Sequence, residues 1–183
     1  MEKGQKMIGM KKLALSLLLV FISTLSFSQT HDAAYYRSKG YQVLERFDIA
    51  VKAPVKLFDI SDQAQGDFAM NYGGVVDDGK STMAAYQIIV TNLPHGYLNY
   101  SESEIRVLVD NLIRDKVSGF NNVKKIYFGE DDCPGYYMET SIYGYKQKSI
   151  MFYRDGHIYA LSVISNYQIE QRFYQFTNGV KFF

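Results

Sequence analysis

Between Ser101 and Val117 the apolar residues recur at three- and four-residue steps. It is the clearest helical repeat in a chain whose other apolar runs are short, alternating and closed by turn residues. Ile105, Leu108, Val109, Leu112, Ile113 and Val117 form one stripe, opposite Arg106, Asp110, Arg114 and Asp115. Ser101 and Glu104 have the spacing of a capping box, in which the serine oxygen accepts a first-turn amide proton and the glutamate reaches back. Ser118-Gly119 closes the helix. An apolar stripe must lie on something, and a sheet face is the partner this sequence offers.

The strands read as follows. Val43 to Val51 is rich in β-branched and aromatic residues and runs into Ala53-Pro54, where a ladder donor is lost. Val55 to Ile60 is a short second strand. Phe68, Met70 and Tyr72 alternate with smaller residues up to Gly73-Gly74, Asp77-Asp78-Gly79 turns the chain, and Met83 to Val90 returns as an apolar strand. Beyond the helix come Val123 to Phe128, Tyr136 to Tyr143, Lys148 to Tyr153 and Ile158 to Ser165. The last two flank Asp155-Gly156, a pair suited to a type I′ turn because both residues accept positive φ. Ile169, Phe173 and Phe176 mark a closing helix, with Asn166 as its cap and Asn178-Gly179 as a left-handed stop. Val180 to Phe183 is an apolar, buried tail. No repeat, low-complexity tract or second domain boundary is visible.

Ahead of this domain, Lys11-Lys12 precedes an apolar run from Leu13 to Phe27 with Ser26 and Ser28 at its exit. The run falls short of the roughly 20 residues that span a hydrocarbon core. The layout is that of a secretory signal peptide cut before Gln29. Residues 29–40 read as a flexible lead-in and 41–183 as a single α+β domain. No cysteine stands near the cut, so the leader is not of the lipoprotein kind. Translation can start at Met1, Met7 or Met10, each leaving a basic region.

Removing the leader takes away four lysines and one glutamate, leaving 16 basic against 18 acidic residues and a formal charge of −2. A near-neutral chain without a basic block does not suit nucleic acid or an anionic membrane. Cys133 is the single cysteine, so no internal disulfide forms and the fold relies on packing. All 16 tyrosines fall after the leader and there is no tryptophan. Tyrosine suits a half-buried pleated surface with its ring inward and its hydroxyl wet.

An early strand over Phe47-Asp48-Ile49-Ala50-Val51-Lys52-Ala53-Pro54, a meander, a mid-chain helix, an Asp-Gly hairpin and a closing segment from Phe173 to Phe183 resemble the PsbP/Mog1-like fold over about residues 45–183. The resemblance implies an antiparallel β-sheet flanked by a mid-chain amphipathic helix and a C-terminal helix, and a role as a binding or assembly partner. It supplies no functional residue one by one. The alternative architecture is an NTF2-like cone, which normally places its long helices early.

Candidate chemistry is sparse. His95, Tyr97 and Tyr100, in the loop before the helix, are candidate ligand contacts, because loops of this kind rim pockets. Asp77 and Asp78, with Glu130-Asp131-Asp132, offer oxygen to calcium but lack alternating EF-hand spacing. Cys133 has acidic neighbours that disfavour a thiolate. No zinc, nucleophile-elbow or phosphate-cradle pattern occurs, and no cofactor is expected.

The reading is an exported, non-catalytic binding or assembly module of a bacterial envelope, periplasmic or secreted. Its partner would be an envelope protein or a small ligand. It would have no nucleic-acid partner and no membrane span once the leader is cut. The rival is a small hydrolase or transferase with a site assembled from His95, Cys133 and the acidic turns.

Overall fold

The computed structural model describes residues 31–61, 69–77, 82–93, 100–129 and 131–183, apart from the side chains of Glu102 and Lys116. The expected leader lies outside them, as do His95, Tyr97, Asp78 and Glu130. A short helix α1 (Ala33–Ser38) is followed by β1 (Gln42–Leu44), a 3-10 turn, β2 (Ile49–Val51), β3 (Phe58–Asp59), β4 (Ala69–Asp77) and β5 (Met83–Asn92). Then come α2 (Glu102–Val117), β6 (Asn121–Phe128), β7 (Cys133–Ile142), β8 (Tyr145–Arg154), β9 (His157–Ser165), α3 (Ile169–Asn178) and β10 (Val180–Phe182). Every pairing among these strands is antiparallel, and the class is α+β. Among the described residues no helix is long and apolar enough to cross a membrane.

The large sheet has seven strands in the order β3-β4-β5-β9-β8-β7-β6, and a second sheet has three in the order β1-β2-β10. Alternation sorts the large sheet's side chains onto two faces. Tyr86, Ile88, Val90, Phe152, Tyr159, Leu161 and Val163 point to one face, where Ile49, Val51 and Phe176 bury against them. We call this the closed face. Tyr136, Met138 and Ile158 point to the other, where Val109, Ile113 and Val117 of α2 cover them.

Several sequence expectations change in instructive ways. The strand read over Val43 to Val51 is two strands, because Glu45–Phe47 form a 3-10 turn and Asp48 adopts φ 48°. That reversal folds β1 antiparallel onto β2, with Leu44 opposite Ile49. Aspartate is among the few residues that tolerate a left-handed backbone, so no glycine flagged the turn. Residues 33–38, within the expected lead-in, form α1 with Tyr36 buried against Phe183 at a ring separation of 5.6 Å. Gln168, not Asn166, holds the N-cap position of α3, while the Asn166 amide oxygen accepts from Met83 N–H at 3.2 Å.

Gly179 ends α3 with φ −78°, outside the left-handed region. What requires glycine there is space, since a Cβ would stand 2.7 Å from the carbonyl oxygen of Lys52. The α2 stripe is also narrower than its periodicity suggests, because Leu112 is exposed. Asp110, expected on the solvent side, instead accepts from the Tyr136 hydroxyl at 3.0 Å and pairs with Lys125 at 3.0 Å. The Asp155-Gly156 turn has positive φ at both residues, as type I′ requires. The capping box of α2 is present in both directions.

Helix α3 is fastened to the closed face by burial and by charge. Phe176 is fully buried and meets Tyr86 edge-on at 5.3 Å. Lys148, buried on β8, pairs with Glu170 of α3 and, at 2.9 Å, with Glu139 of β7. Burial works against the Lys148 charge, but Glu170, Tyr137 and Glu139 outweigh it and hold its pKa above the usual lysine value. Hydrogen bonds from Tyr137, Asn122 and Lys148 lower the Glu139 carboxyl from 4.5 to about 2.

Two outcomes follow from this fastening. Phe176→Ala should lower unfolding free energy by about 3–5 kcal/mol in urea. Tyr174→Ala on the exposed flank of the same helix should stay within about 0.5 kcal/mol. Because the folded carboxyl of Glu139 is depressed, its contribution is complete above pH 4.5 and disappears as the pH falls toward 2. Wild-type stability should therefore drop more steeply across that window than Glu139→Gln stability, and parallel acid limbs would contradict the clamp.

Candidate functional site

Two regions bear on function, and the first is built around Arg154. Arg154 ends β8 and faces His157 across the β8–β9 ladder. Its Nε donates to Asp155 at 3.0 Å, its terminal nitrogen to Asp131, and its guanidinium lies 4.3 Å from the centroid of Phe182. With Arg106, Cys133 and Tyr153 these groups line a cleft of about 340 Å³ at one end of the sheet. Asp131 and Asp155 are 61% and 80% exposed, so each ion pair is worth only about 0–1 kcal/mol. The Phe182 ring beneath the guanidinium adds a cation–π contact of similar size. Arg154 thus ties the β6–β7 turn, the β8–β9 hairpin and the last strand together.

Cys133 forms one wall of this cleft and is buried. Burial raises its thiol pKa and the Arg154 guanidinium beside it only partly offsets that, so the thiolate is disfavoured. Continuing the β7–β8 register beyond Gly135 opposite Phe152 puts Cys133 next to Arg154, with His157 on the far side. Thiol and imidazole are then two strand spacings apart, about 10 Å, with a guanidinium between them. A nucleophile and its base need hydrogen-bond reach, about 2.6–3.2 Å. His157 packs against Phe47 and Tyr159, and its Nδ1 lies 2.8 Å from the Asp155 carbonyl oxygen.

The other expected residues are scattered. Tyr100 is 48% exposed beside the α2 cap, outside the Arg154 cleft. Leu93 N–H bonds the Gly156 carbonyl at 3.1 Å, so β5 leaves the sheet at the Arg154 end, but 94–99 lie outside the described residues. Asp77 ends β4 opposite Met83, whereas Asp131 sits beyond the far end of the ladder, about 30 Å of strand away. Asp77 and Asp131 do not converge. Among the described residues no three His, Cys, Asp or Glu side chains are grouped to hold a metal.

The second region was not singled out by sequence. Helix α2 covers β7, β8 and the start of β9 and leaves the β3–β4–β5 end of its face without a described helix. Phe58, Ile60 and Val75 lie side by side there and are 55%, 54% and 57% exposed. Phe58 stands opposite Gly73 in the β3–β4 ladder, the Ile60 side chain lies over Gly73, and Val75 is two residues further on the same face. Single exposed apolar residues are ordinary, but three in one cluster are not. The Phe58 and Ile60 alternation was legible in sequence; what made it exposed was the position of β3 at the sheet edge.

No family model and no curated protein matches the chain. Among solved structures, LpqN of Mycobacterium tuberculosis, described as involved in cell envelope biogenesis, matches at 8% identity with a TM-score of 0.34, over 84% of this chain and 98% of that one. A likeness at that level establishes neither a family nor a function.

One outcome tests the chemistry assigned to Cys133. In the folded protein at neutral pH, Cys133 should react with a thiol reagent such as DTNB far more slowly than a free thiol, and at the ordinary rate in urea. Fast labelling without denaturant would restore a nucleophile to the cleft.

Proposed function

We propose that the chain is an exported, non-catalytic binding or assembly module of a bacterial envelope, of PsbP/Mog1-like architecture. Its interaction surface is the part of the large sheet that α2 leaves uncovered. The observation that carries this reading is the cluster of Phe58, Ile60 and Val75, each more than half exposed on one continuous face. Exposing large apolar groups forfeits burial worth about 1.5–3 kcal/mol apiece, a cost that a partner recovers by covering them. Export rests on the basic, apolar and small-residue layout of residues 11–28.

Photo-cross-linking in the source organism tests it. A benzoylphenylalanine at Val75 should yield one dominant adduct, and the same probe at Tyr174, 68% exposed on α3, should not. Identical adduct patterns at the two positions, or none at Val75, would overturn the proposal.

A further inference from the structure

We infer that the protein joins a second copy of itself head to tail, the Tyr143 ring of one copy entering the Arg154 cleft of the next. Neither half of this contact uses Phe58, Ile60 or Val75, so it adds a second surface to the one proposed above. Knob and cleft belong to the same two strands. Tyr143 and Gly144 turn β7 into β8, and Cys133, Pro134, Tyr153 and Arg154 line the cleft at the other end of that pair. The ten residues of β7 set the two about 30 Å apart.

The knob is costly to the fold that carries it. Tyr143 has φ 50° and Gly144 φ 83°, the two positive angles of a type I′ turn. Such turns favour Asn-Gly or Asp-Gly, as at Asp155-Gly156, because a bulky side chain disfavours the left-handed region. Of the six described non-glycine residues with positive φ, four are Asp or Asn, and Tyr143 alone carries an aromatic ring. It is 97% exposed, so no packing offsets the cost. A Cβ on Gly144 would meet nothing within 4 Å, so the tip beside the ring is slender and open.

The cleft suits a phenol. Its volume of about 340 Å³ falls within the range of small-ligand pockets. Arg106 and Arg154 offer guanidinium groups to a ring, and Tyr153 adds an aromatic wall. Asp131 and Asp155 each give one oxygen to Arg154. A carboxylate has sites for several donors, so either of them can also accept the tyrosine hydroxyl.

Charge sets the orientation. Asp131 and Asp155 are 61% and 80% exposed while Arg154 is 24% exposed, so the carboxylates lie outside the guanidinium. With exposed Asp132 the rim has three carboxylates against Arg106. From Ser141 to Lys146 the only charged residue is Lys146, which is exposed, and Asp77 at that end of the sheet is three strands away. A lysine beside the knob thus meets carboxylates around the cleft, a match that knob-to-knob and cleft-to-cleft contacts lack. Because knob and cleft are different patches, a dimer leaves one of each unused and the contact extends beyond two copies.

Sedimentation velocity of the exported chain over a wide concentration range tests it. Wild type should form dimers and then larger species as concentration rises. Tyr143→Asn should weaken association at least tenfold yet melt at the wild-type temperature or higher, since Asn-Gly suits the turn. Asp131→Lys should also stay monomeric, and Arg106→Glu serves as the blocked cleft if that variant misfolds. Tyr143→Asn keeps a cleft and Asp131→Lys keeps a knob. Mixed in equal amounts, the two should form a 1:1 dimer and nothing larger.

A wild type that is monomeric at every concentration, or that stops at two copies, would overturn the inference. So would a Tyr143→Asn variant that associates as wild type does, or a mixture of the two variants that stays monomeric. A lower melting temperature for Tyr143→Asn would also overturn it, because the ring would then serve the fold. None of these results bears on the Val75 photo-adduct, so the binding-module reading stands or falls separately.

Discussion

The pairing of Val180 to Phe182 with Ile49 to Val51 is the contact on which the rest of this structure depends. β2 is flanked by β1 on one side and β10 on the other, so segments far apart in sequence make one three-stranded layer. All three β2 residues are fully buried, Ile49 and Val51 against the closed face of the large sheet. Phe182 reaches from it to meet Phe152 and Tyr159 edge-on at 5.9 and 5.3 Å, and the Arg154 guanidinium lies 4.3 Å from its centroid. Without β10, the rings at the centre of the closed face would lose their cover, and α3 would lose the anchor that follows Gly179.

An asymmetry results. The closed face is covered by the small sheet and α3 together, which bury Tyr86, Phe152, Tyr159 and Phe176. Among the described residues the opposite face is covered by one helix, α2, which reaches only part of it. Lys148 shows how charge is tolerated on the closed side, with two carboxylates and the Tyr137 ring 5.3 Å from its nitrogen. On the other side, the described rows that include Asn71, Gly73 and Val75 hold no charged residue, Asp77 follows one row beyond, and Gln87 donates to Asn71. The two faces therefore play different parts: one holds the fold together, and the other is where an interaction is proposed.

Much of the architecture was legible because its signals are local. The capping box at Ser101 and Glu104, the Asp155-Gly156 turn and the strands around them fall close to where sequence puts them. The 3-10 turn at Glu45–Phe47 was not, since Asp48 supplies by itself a conformation usually marked by glycine. Nor was the place of Gly179, whose constraint is the distant Lys52 carbonyl rather than its own backbone angle. The candidate site was less legible still. Phe58, Ile60 and Val75 look like core residues in sequence, and only strand order, which puts β3 at an edge, leaves them in solvent. Arg154 is recognisable as a hub only once the β6–β7 turn and the last strand arrive beside it.

The central claim is that one sheet has a sealed face and a receptive one, and cysteine labelling tests it most directly. In a Cys133→Ala background, Val75→Cys and Ala84→Cys place thiols on neighbouring strands but opposite faces. Maleimide should modify the first within the dead time of ordinary labelling and the second only as fast as the protein unfolds, because Ala84 is 1% exposed. Equal rates at the two positions would mean that the faces are not distinguished as described, and the proposed interaction surface would lose its basis.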